Sequence, residues 1–496
     1  MEPAASSRRT PRTWFAPDLA LSAAFVTAVF CLLLYDGGSR LFRDSDTGWH
    51  VRTGERILAT GELPRADPYS WTRPGGPWFA WEWGSDAAMG AAHRWRGLTG
   101  VAVLYTTAIA AVTWLWFRLQ WQLGGSFLLA CAMASPMLST VNLHWLARPH
   151  VFSWCLFLAW LLWLERRTEP FGWKHAAAAF GTGAVWANLH ASFFLAPAVA
   201  IVFACGAAAE RDRGASLRFV SAGAAAAVGS LCNPYGWDLH RHVFHYVTGA
   251  ELLARIGEFQ TFNFHSEGAA QILLTVLLCA SAAGLALGQG NFRHALLLLA
   301  MTALGLRSAR GLPMLALTLP FAAAIFTRAA GESAALRGAL VYSANLRKID
   351  AGLRGYALMP LLPLAIWAMA SLPAVQRRTG FPGDRFPVEE AAAVAALPPG
   401  ARLLAPDRFG GYLIYRFAGE RKVFFDGRSD YYGIDFMKQY IDLVQVRPGW
   451  ESALSRWNPD HALLPKDYSL LAALERAGWR RLHTGPAAVL LASPER

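Results

Sequence analysis

Two aspartates one residue apart stand in "RDSDTGWH", residues 43–50, directly after an apolar run. In an extended chain, alternating side chains would turn Asp44 and Asp46 the same way. Such a pair offers the oxygen ligands that Mg2+ or Mn2+ prefers, or one carboxylate placed as general base on a hydroxyl. The same residues could instead cap a helix, because Asp and Ser are favoured N-caps. His50 closes the stretch, and further along Glu82 lies between Trp81 and Trp83 with Asp86 one helical turn later. An i, i+4 pair shares a helix face, and burial among tryptophans would raise the pKa of Glu82.

Later segments carry polar groups at the ends of apolar runs. His144, Arg148 and His150 stand in "NLHWLARPH" (142–150), Asn188 and His190 in "WANLHAS" (186–192), and Arg307 and Arg310 in "LRSARG" (306–311). "NPYGWDLHRH" (233–242) is of the same kind. The planar fork of arginine suits phosphate, and His or Asn can bind phosphate or sugar hydroxyls. Taken singly, each residue could merely cap a helix or anchor lipid headgroups. A zinc site from His144, His150 and His190 lacks a diagnostic spacing.

The elements that must position these groups are membrane helices. The chain of 496 residues is 54% hydrophobic and 16% charged, far more apolar than a globular chain needs to be. Charge-poor stretches of about 17 to 23 residues match a hydrocarbon core of roughly 30 Å. Spans are predicted near 19–35, 98–117, 122–139, 150–164, 174–188, 191–209, 215–232, 268–288, 293–306, 311–327 and 354–373, about eleven in all. Fusing the short pairs around Asn188 or Arg310 would invert everything downstream.

With that number, the basic clusters Arg8/Arg9/Arg12, Arg166/Arg167/Lys174, Arg211/Arg213/Arg218 and Arg328/Arg337/Arg347/Lys348 share one face, as the positive-inside rule asks. The amino terminus, 1–18, is then cytoplasmic, and the motif segments above all reach the other side. The transmembrane domain covers 19–373. Its first outer loop, 36–97, is expected to lie on the bilayer as amphipathic helices, with Trp49 and "PWFAWEWGSD" at the interface.

A linker, 374–386, leads to a soluble extracytoplasmic α/β domain, 387–496, with a partly parallel sheet. There "ARLLAP", "RKVFFDGR", "DHALLP" and "RRLHTGPAAVLLAS" read as strands, and "GIDFMKQYIDLVQV", "WESALSRW" and "YSLLAALERAG" as helices. Asp407, Arg408, Asp426, Arg428 and Asp430 gather near glycine turns in "DRFGGYLIYR" and "FDGRSDYYG". A lid or acceptor-recognition role is one reading, and a structural Asp426–Arg428 ion pair the other. The net charge of +12 is scattered rather than striped, which argues against nucleic acid. The six cysteines form no CxxC pair, against a disulfide framework or zinc.

Together, "DSDTGWHVRTGERIL…GELPRADPYSWT", "WEWGSD", "ARPHVFSW", "WANLHASF", "NPYGW" and "FDGRSDYYG" resemble the GT-C superfamily of polyprenyl-phosphate-dependent glycosyltransferases. More narrowly, they are similar to a group of bacterial membrane proteins of that fold. The resemblance spans nearly the whole chain, though the Asp-Glu pattern of several subfamilies is absent. It implies an inverting transfer of sugar from a polyprenyl-phosphate donor to a glycan, lipid or protein acceptor, on the outer face of a bacterial inner membrane. It also implies that an acid of the first outer loop is base or metal ligand, here Asp46 or Asp44. A transporter or flippase of lipid-linked sugars would show pseudo-symmetric halves, and none are evident. A non-catalytic membrane assembly protein would leave the loop acids as caps.

Overall fold

A computed structural model describes residues 11–166, 170–355 and 357–494; Arg8, Arg9 and Arg167 of the basic clusters lie outside them. The chain enters the bundle through α1 (Leu19–Leu33), which contains no charged residue and is started by Asp18, whose carboxylate accepts the Leu21 N–H at 2.9 Å. Ala20, Ala24 and Ala28 are buried, and small side chains of this kind let helix backbones approach closely. The partner is the long α3 (Trp83–Gln122), where Thr113 meets Thr27 at 3.2 Å between hydroxyls. Between them in sequence lies α2 (Asp46–Thr60), the helix of the first loop. The expected boundary near residue 97 is not a helix start but a bend inside α3, at Arg96 and Gly97, where Gly97 takes φ +60°.

The bundle continues with α4 (Phe127–Val141), α5 (His150–Glu165), α6 (Trp173–Leu189), α7 (Leu195–Ala209), α8 (Arg213–Gly229), α9 (Trp237–Thr248), α10 (Ala250–Leu253), α11 (Ala269–Gly288), α12 (Phe292–Arg307), α13 (Gly311–Leu317), α14 (Leu319–Gly331), α15 (Arg337–Gly352) and α16 (Leu361–Ala370). Each predicted span contains a helix, the one at 354–373 only over Leu361–Ala370. Among the described residues, 6 helical stretches are long and apolar enough to cross a membrane: Thr13–Leu33, Trp83–Gln122, Phe127–His144, Ala191–Ala209, Ala269–Gly288 and Gly311–Gly331. The remaining expected spans form shorter helices. Val26, Ile201, Val228 and Leu277 are more than half exposed on such helices, an apolar surface that a membrane would cover. The molecule reads as a multi-pass membrane protein. The helices α9, α10 and α15 occupy stretches taken from the sequence as loops.

The carboxyl-terminal part comprises α17 (Pro373–Gln376), α18 (Ala391–Ala395), β1 (Leu403–Leu404), α19 (Asp407–Arg416), α20 (Ser429–Val444), α21 (Trp450–Trp457), β2 (His461–Pro465), α22 (Ser469–Arg476), β3 (Arg480–Thr484) and β4 (Ala488–Ala492). Its sheet has the order β1-β2-β4-β3, parallel between β1 and β2 and antiparallel elsewhere. Leu463 faces Leu490 across the buried middle of β2 and β4. "RKVFFDGR" departs from the expected strand. Val423 exchanges backbone hydrogen bonds with the first loop instead, its N–H to Tyr69 O (2.9 Å) and its carbonyl from Trp71 N–H (3.0 Å).

A further correction concerns "DRFGGYLIYR", which is the helix α19 and not a turn. Its glycines serve proximity. A Cβ on Gly411 would stand 2.1 Å from Ser45 O, and one on Gly48 2.0 Å from Gly411 O. The first loop is therefore clamped between α3 and α19. Trp49, Tyr69 and Trp78 are buried with the carboxyl-terminal aromatics, where those rings find apolar partners that the interface could not provide.

Candidate active site

The clamp places the start of α2 over the helix ends that carry Arg148 and Arg310. Asp44 and Asp46 converge on one guanidinium: Arg148 Nη1 lies 2.7 Å from Asp44 Oδ2 and Nη2 2.8 Å from Asp46 Oδ2. Asp44 also accepts the Asp46 N–H at 2.9 Å, so part of its work is the local capping that the sequence allowed. Arg148 reaches a third carboxylate, Glu258, at 3.1 Å, which Arg310 holds at 2.5 Å. Burial acts against the Arg148 charge, but Asp44, Asp46 and Glu258 outweigh it and hold its pKa well above the ordinary value. Burial likewise pushes Glu258 up, yet Arg310 and Arg148 keep it below the usual carboxylate range.

Asp46 behaves differently. Desolvation is its largest influence, Arg148 opposes it and Asp44 adds to it, so the carboxyl is pushed up to about 8. Three acids sharing two arginines cannot all ionise cheaply away from water.

A second constellation sits deeper. Glu82 precedes α3 and is pushed up to about 7, first by burial, with Arg148 and Arg310 pulling the other way. His190, in the turn between α6 and α7, has Nε2 3.3 Å from Glu82 Oε1. Burial, Arg310 and Arg148 lower that imidazole to about 3, so it is neutral. Behind Glu82, His50 Nδ1 meets Asp86 Oδ1 at 2.6 Å. Burial, with Arg148 and His190, keeps His50 neutral as well.

One cavity of about 1340 Å³ takes in Asp44, Asp46, Glu82, His144, Arg148, His150, His190, Arg307 and Arg310. It thus joins most of the residues expected from separate segments. From the carboxyl-terminal domain Asp407, Arg408, Arg428 and Asp430 also line it, so that domain forms a wall of the site.

Other expected residues lie elsewhere. Asn188 is absent from the lining. Its amide donates to Ala184 O and Cys232 O, both 2.8 Å, and accepts from Trp83 Nε1 at 2.7 Å, tying helices together. His50 and Asp86 stand behind the wall and not on it. His150 faces the cavity but spends Nε2 on His144 O, at 2.8 Å, which fixes the turn bearing Arg148.

Glu258 escaped the sequence reading. It belongs to no motif, and its one signal is an acid on the same side as the unpaired arginines of "LRSARG". Arg428 takes the structural alternative, bound to Asp426 (2.7 Å) and to Asp67 (2.6 Å) of the first loop.

No group of three or more His, Cys, Asp or Glu among the described residues is arranged to hold a metal ion. Asp44 and Asp46 each turn an oxygen to Arg148, so the place a shared cation would take holds a guanidinium. This donor set does not fit a divalent ion as arranged, and no step below passes through one.

No protein-family model matches the sequence, and no curated protein matches it. Among solved structures, the fold is similar to that of the Archaeoglobus fulgidus oligosaccharyltransferase in its apo form. The TM-score is 0.55 at 11% identity, over 90% of this chain and 69% of that one. At that identity the likeness is one of fold alone.

Proposed function

We propose that this protein is an integral-membrane glycosyltransferase that moves a sugar from a polyprenyl-phosphate donor to an acceptor outside the cytoplasm. The observation that carries the reading is the convergence of first-loop acids with arginines and histidines from distant helix ends on one cavity. A donor of this class needs cations at its phosphate and an apolar path for its lipid, and Arg310 and Arg307 supply the former beside exposed apolar helices. Asp46 is the general base for the acceptor hydroxyl, oriented by Arg148 and flanked by Asp44.

Around eleven spans in a bacterial inner membrane would set the amino terminus inside and the carboxyl-terminal domain outside. Asp46, Arg148, His190 and Arg310 lining the same cavity supports that alternation. The fold shared with an oligosaccharyltransferase supports the reaction class. Fold alone does not carry function, so the site residues bear the argument.

The test incubates the purified full chain with a panel of radiolabelled polyprenyl-phosphate sugars and membrane extract, with and without chelator. Transfer of label from one donor is expected, and the chelator arm tests for a divalent ion. If no label moves and no donor binds to the folded protein, the assignment is wrong.

A further inference from the structure

The chain of side chains from Asp86 to His190 contains a hydrogen-bonding contradiction that only a proton resolves. His190 Nδ1 lies 2.8 Å from Ser192 Oγ and 3.1 Å from Ser192 N, and its Nε2 faces Glu82 Oε1 at 3.3 Å. On the other side, His50 Nδ1 meets Asp86 Oδ1 at 2.6 Å; with that carboxylate as acceptor, His50 Nε2 is left a bare lone pair. That nitrogen is fully buried, has no hydrogen-bond partner, and points at Glu82 Oε2 from 3.8 Å. Two acceptors facing each other out of water would each forgo a hydrogen bond, at about 1–3 kcal/mol apiece. A proton on either atom turns the pair into donor and acceptor.

We propose that Glu82 and His50 share one exchangeable proton, carried on Oε2 of the first or Nε2 of the second, and that Glu82 is the general acid of the cavity. Asp86 and His50 are positioning residues, the first fixing the tautomer of the second.

The surroundings of Glu82 agree. The charged or titratable groups around it are His50 from α2, Asp86 from α3, His190, Arg148, Arg310 and Asp430 of the carboxyl-terminal domain. Burial and Asp430 favour the protonated carboxyl, Arg148 and Arg310 oppose it, and the balance falls near neutrality. An acid there is matched to proton transfer at physiological pH.

Its use in turnover rests on the transferase reading. The acceptor O–H breaks, with its proton passing to Asp46, and the freed electron pair forms the new bond to the anomeric carbon. The old carbon–oxygen bond breaks toward the lipid phosphate, whose oxygen takes the proton of Glu82. One proton enters the pair of carboxylates and one leaves, so the site returns to its starting charge after a single exchange with solvent.

Infrared titration of the purified protein, labelled in turn with 13C-Glu and 13C-Asp, tests the shared proton without any substrate. A protonated glutamate band that titrates between about pH 6 and about pH 8, is absent in Glu82→Gln and moves its midpoint in His50→Gln supports the pair. A glutamate set ionised throughout that range, or a midpoint indifferent to His50→Gln, overturns it. If the variants fail to fold, 15N-histidine spectra of the wild type decide. A buried imidazole with bare Nε2 beside a protonated carboxyl is expected, and a ring with hydrogen on Nε2 alone would sink the proposal.

With a donor in hand, wild-type transfer should be bell-shaped, rising through about pH 7 and falling above about pH 8, and Glu82→Gln should be at least about tenfold slower with the alkaline limb gone. A retained limb removes the acid role. A titrating pair in a protein that transfers no sugar leaves the proton in place and retires the transferase reading instead.

Discussion

Two arginine clusters in this molecule are built from the same residue types and do opposite things. Around Arg148 and Arg310 stand Asp44, Asp46 and Glu258; around Arg428 stand Asp67 and Asp426. Each has one more carboxylate than arginine. In the second, neutral donors absorb the excess. Asp67 accepts from Tyr69 N–H (3.1 Å), Ser70 N–H (2.8 Å) and Ser70 Oγ (2.6 Å) besides Arg428. Burial would raise Asp67, but Arg428 and Ser70 win and hold it below its usual value.

Trp78 also lies under the guanidinium, 4.5 Å from ring centre to Arg428 Cζ. The cluster is a rivet between the first loop and the carboxyl-terminal domain. Among the described residues no neutral donor reaches the Asp46 carboxylate, which Arg148 holds at 2.8 Å, and it is pushed up to about 8. Asp67 keeps its charge through Arg428 and the neutral donors together, whereas Asp46 is held toward its protonated form despite Arg148.

The comparison can be broken at its strongest point first. Asp46→Asn keeps shape and removes the base, so transfer should drop by about 10²- to 10⁴-fold while donor binding and thermal midpoint hold. A variant that unfolds instead would make Asp46 a second rivet. Arg428→Met leaves Asp67 and Asp426 buried without their partner, which should cost about 3–5 kcal/mol in denaturant unfolding and expose the first loop to protease. If Arg428→Met is stable but inactive, the residue belongs to the chemistry.

Gly411→Ala tests the clamp that both clusters depend on. Its methyl would press on Ser45 O, and about 1–3 kcal/mol of destabilisation is expected for overpacking of this kind. No change in unfolding midpoint would mean that α2 and α19 can part freely.

The smallest effect is on pH dependence. Asp46 and Glu82, at about 8 and about 7, stand above their unfolded values of about 4. The stability they contribute is complete below that value and is lost as pH rises through the folded ones. Asp67, lowered, contributes above its unfolded value of about 3.9 and loses that contribution as pH falls through its folded one. The thermal midpoint should therefore sag on the alkaline side in the wild type and less so in Asp46→Asn, while Asp67→Asn should flatten only the acid side. Identical profiles for the two variants would erase the distinction between the clusters.

Much of this arrangement was readable from residue order, and the parts that were not share a cause. Arg148, His190 and Arg310 stood out because a polar group at the end of an apolar run is costly wherever it sits. Glu258 did not, because an acid in a long polar loop has no local penalty to betray it. Asn188 was misplaced for the converse reason: a costly group can be satisfied by backbone carbonyls, as Ala184 and Cys232 do here, and then needs no ligand. "DRFGGYLIYR" was mistaken for a turn because glycine pairs suit both tight turns and close helix contacts, and spacing does not separate the two.

The amino-acid order by itself determined that the chain is a helical membrane protein with an α/β tail, and which side chains stand at its helix ends. Hydropathy and charge act on each segment alone, so they can be read along the chain. Only the tertiary structure decided that Asp44 and Asp46 share Arg148 with Glu258, and that Arg428 locks the tail to the first loop. It also decided that His50 Nε2 faces Glu82 Oε2 out of water. Those pairings join residues from 32 to more than 350 positions apart, and their energies depend on the distance and desolvation that packing sets, which no spacing encodes.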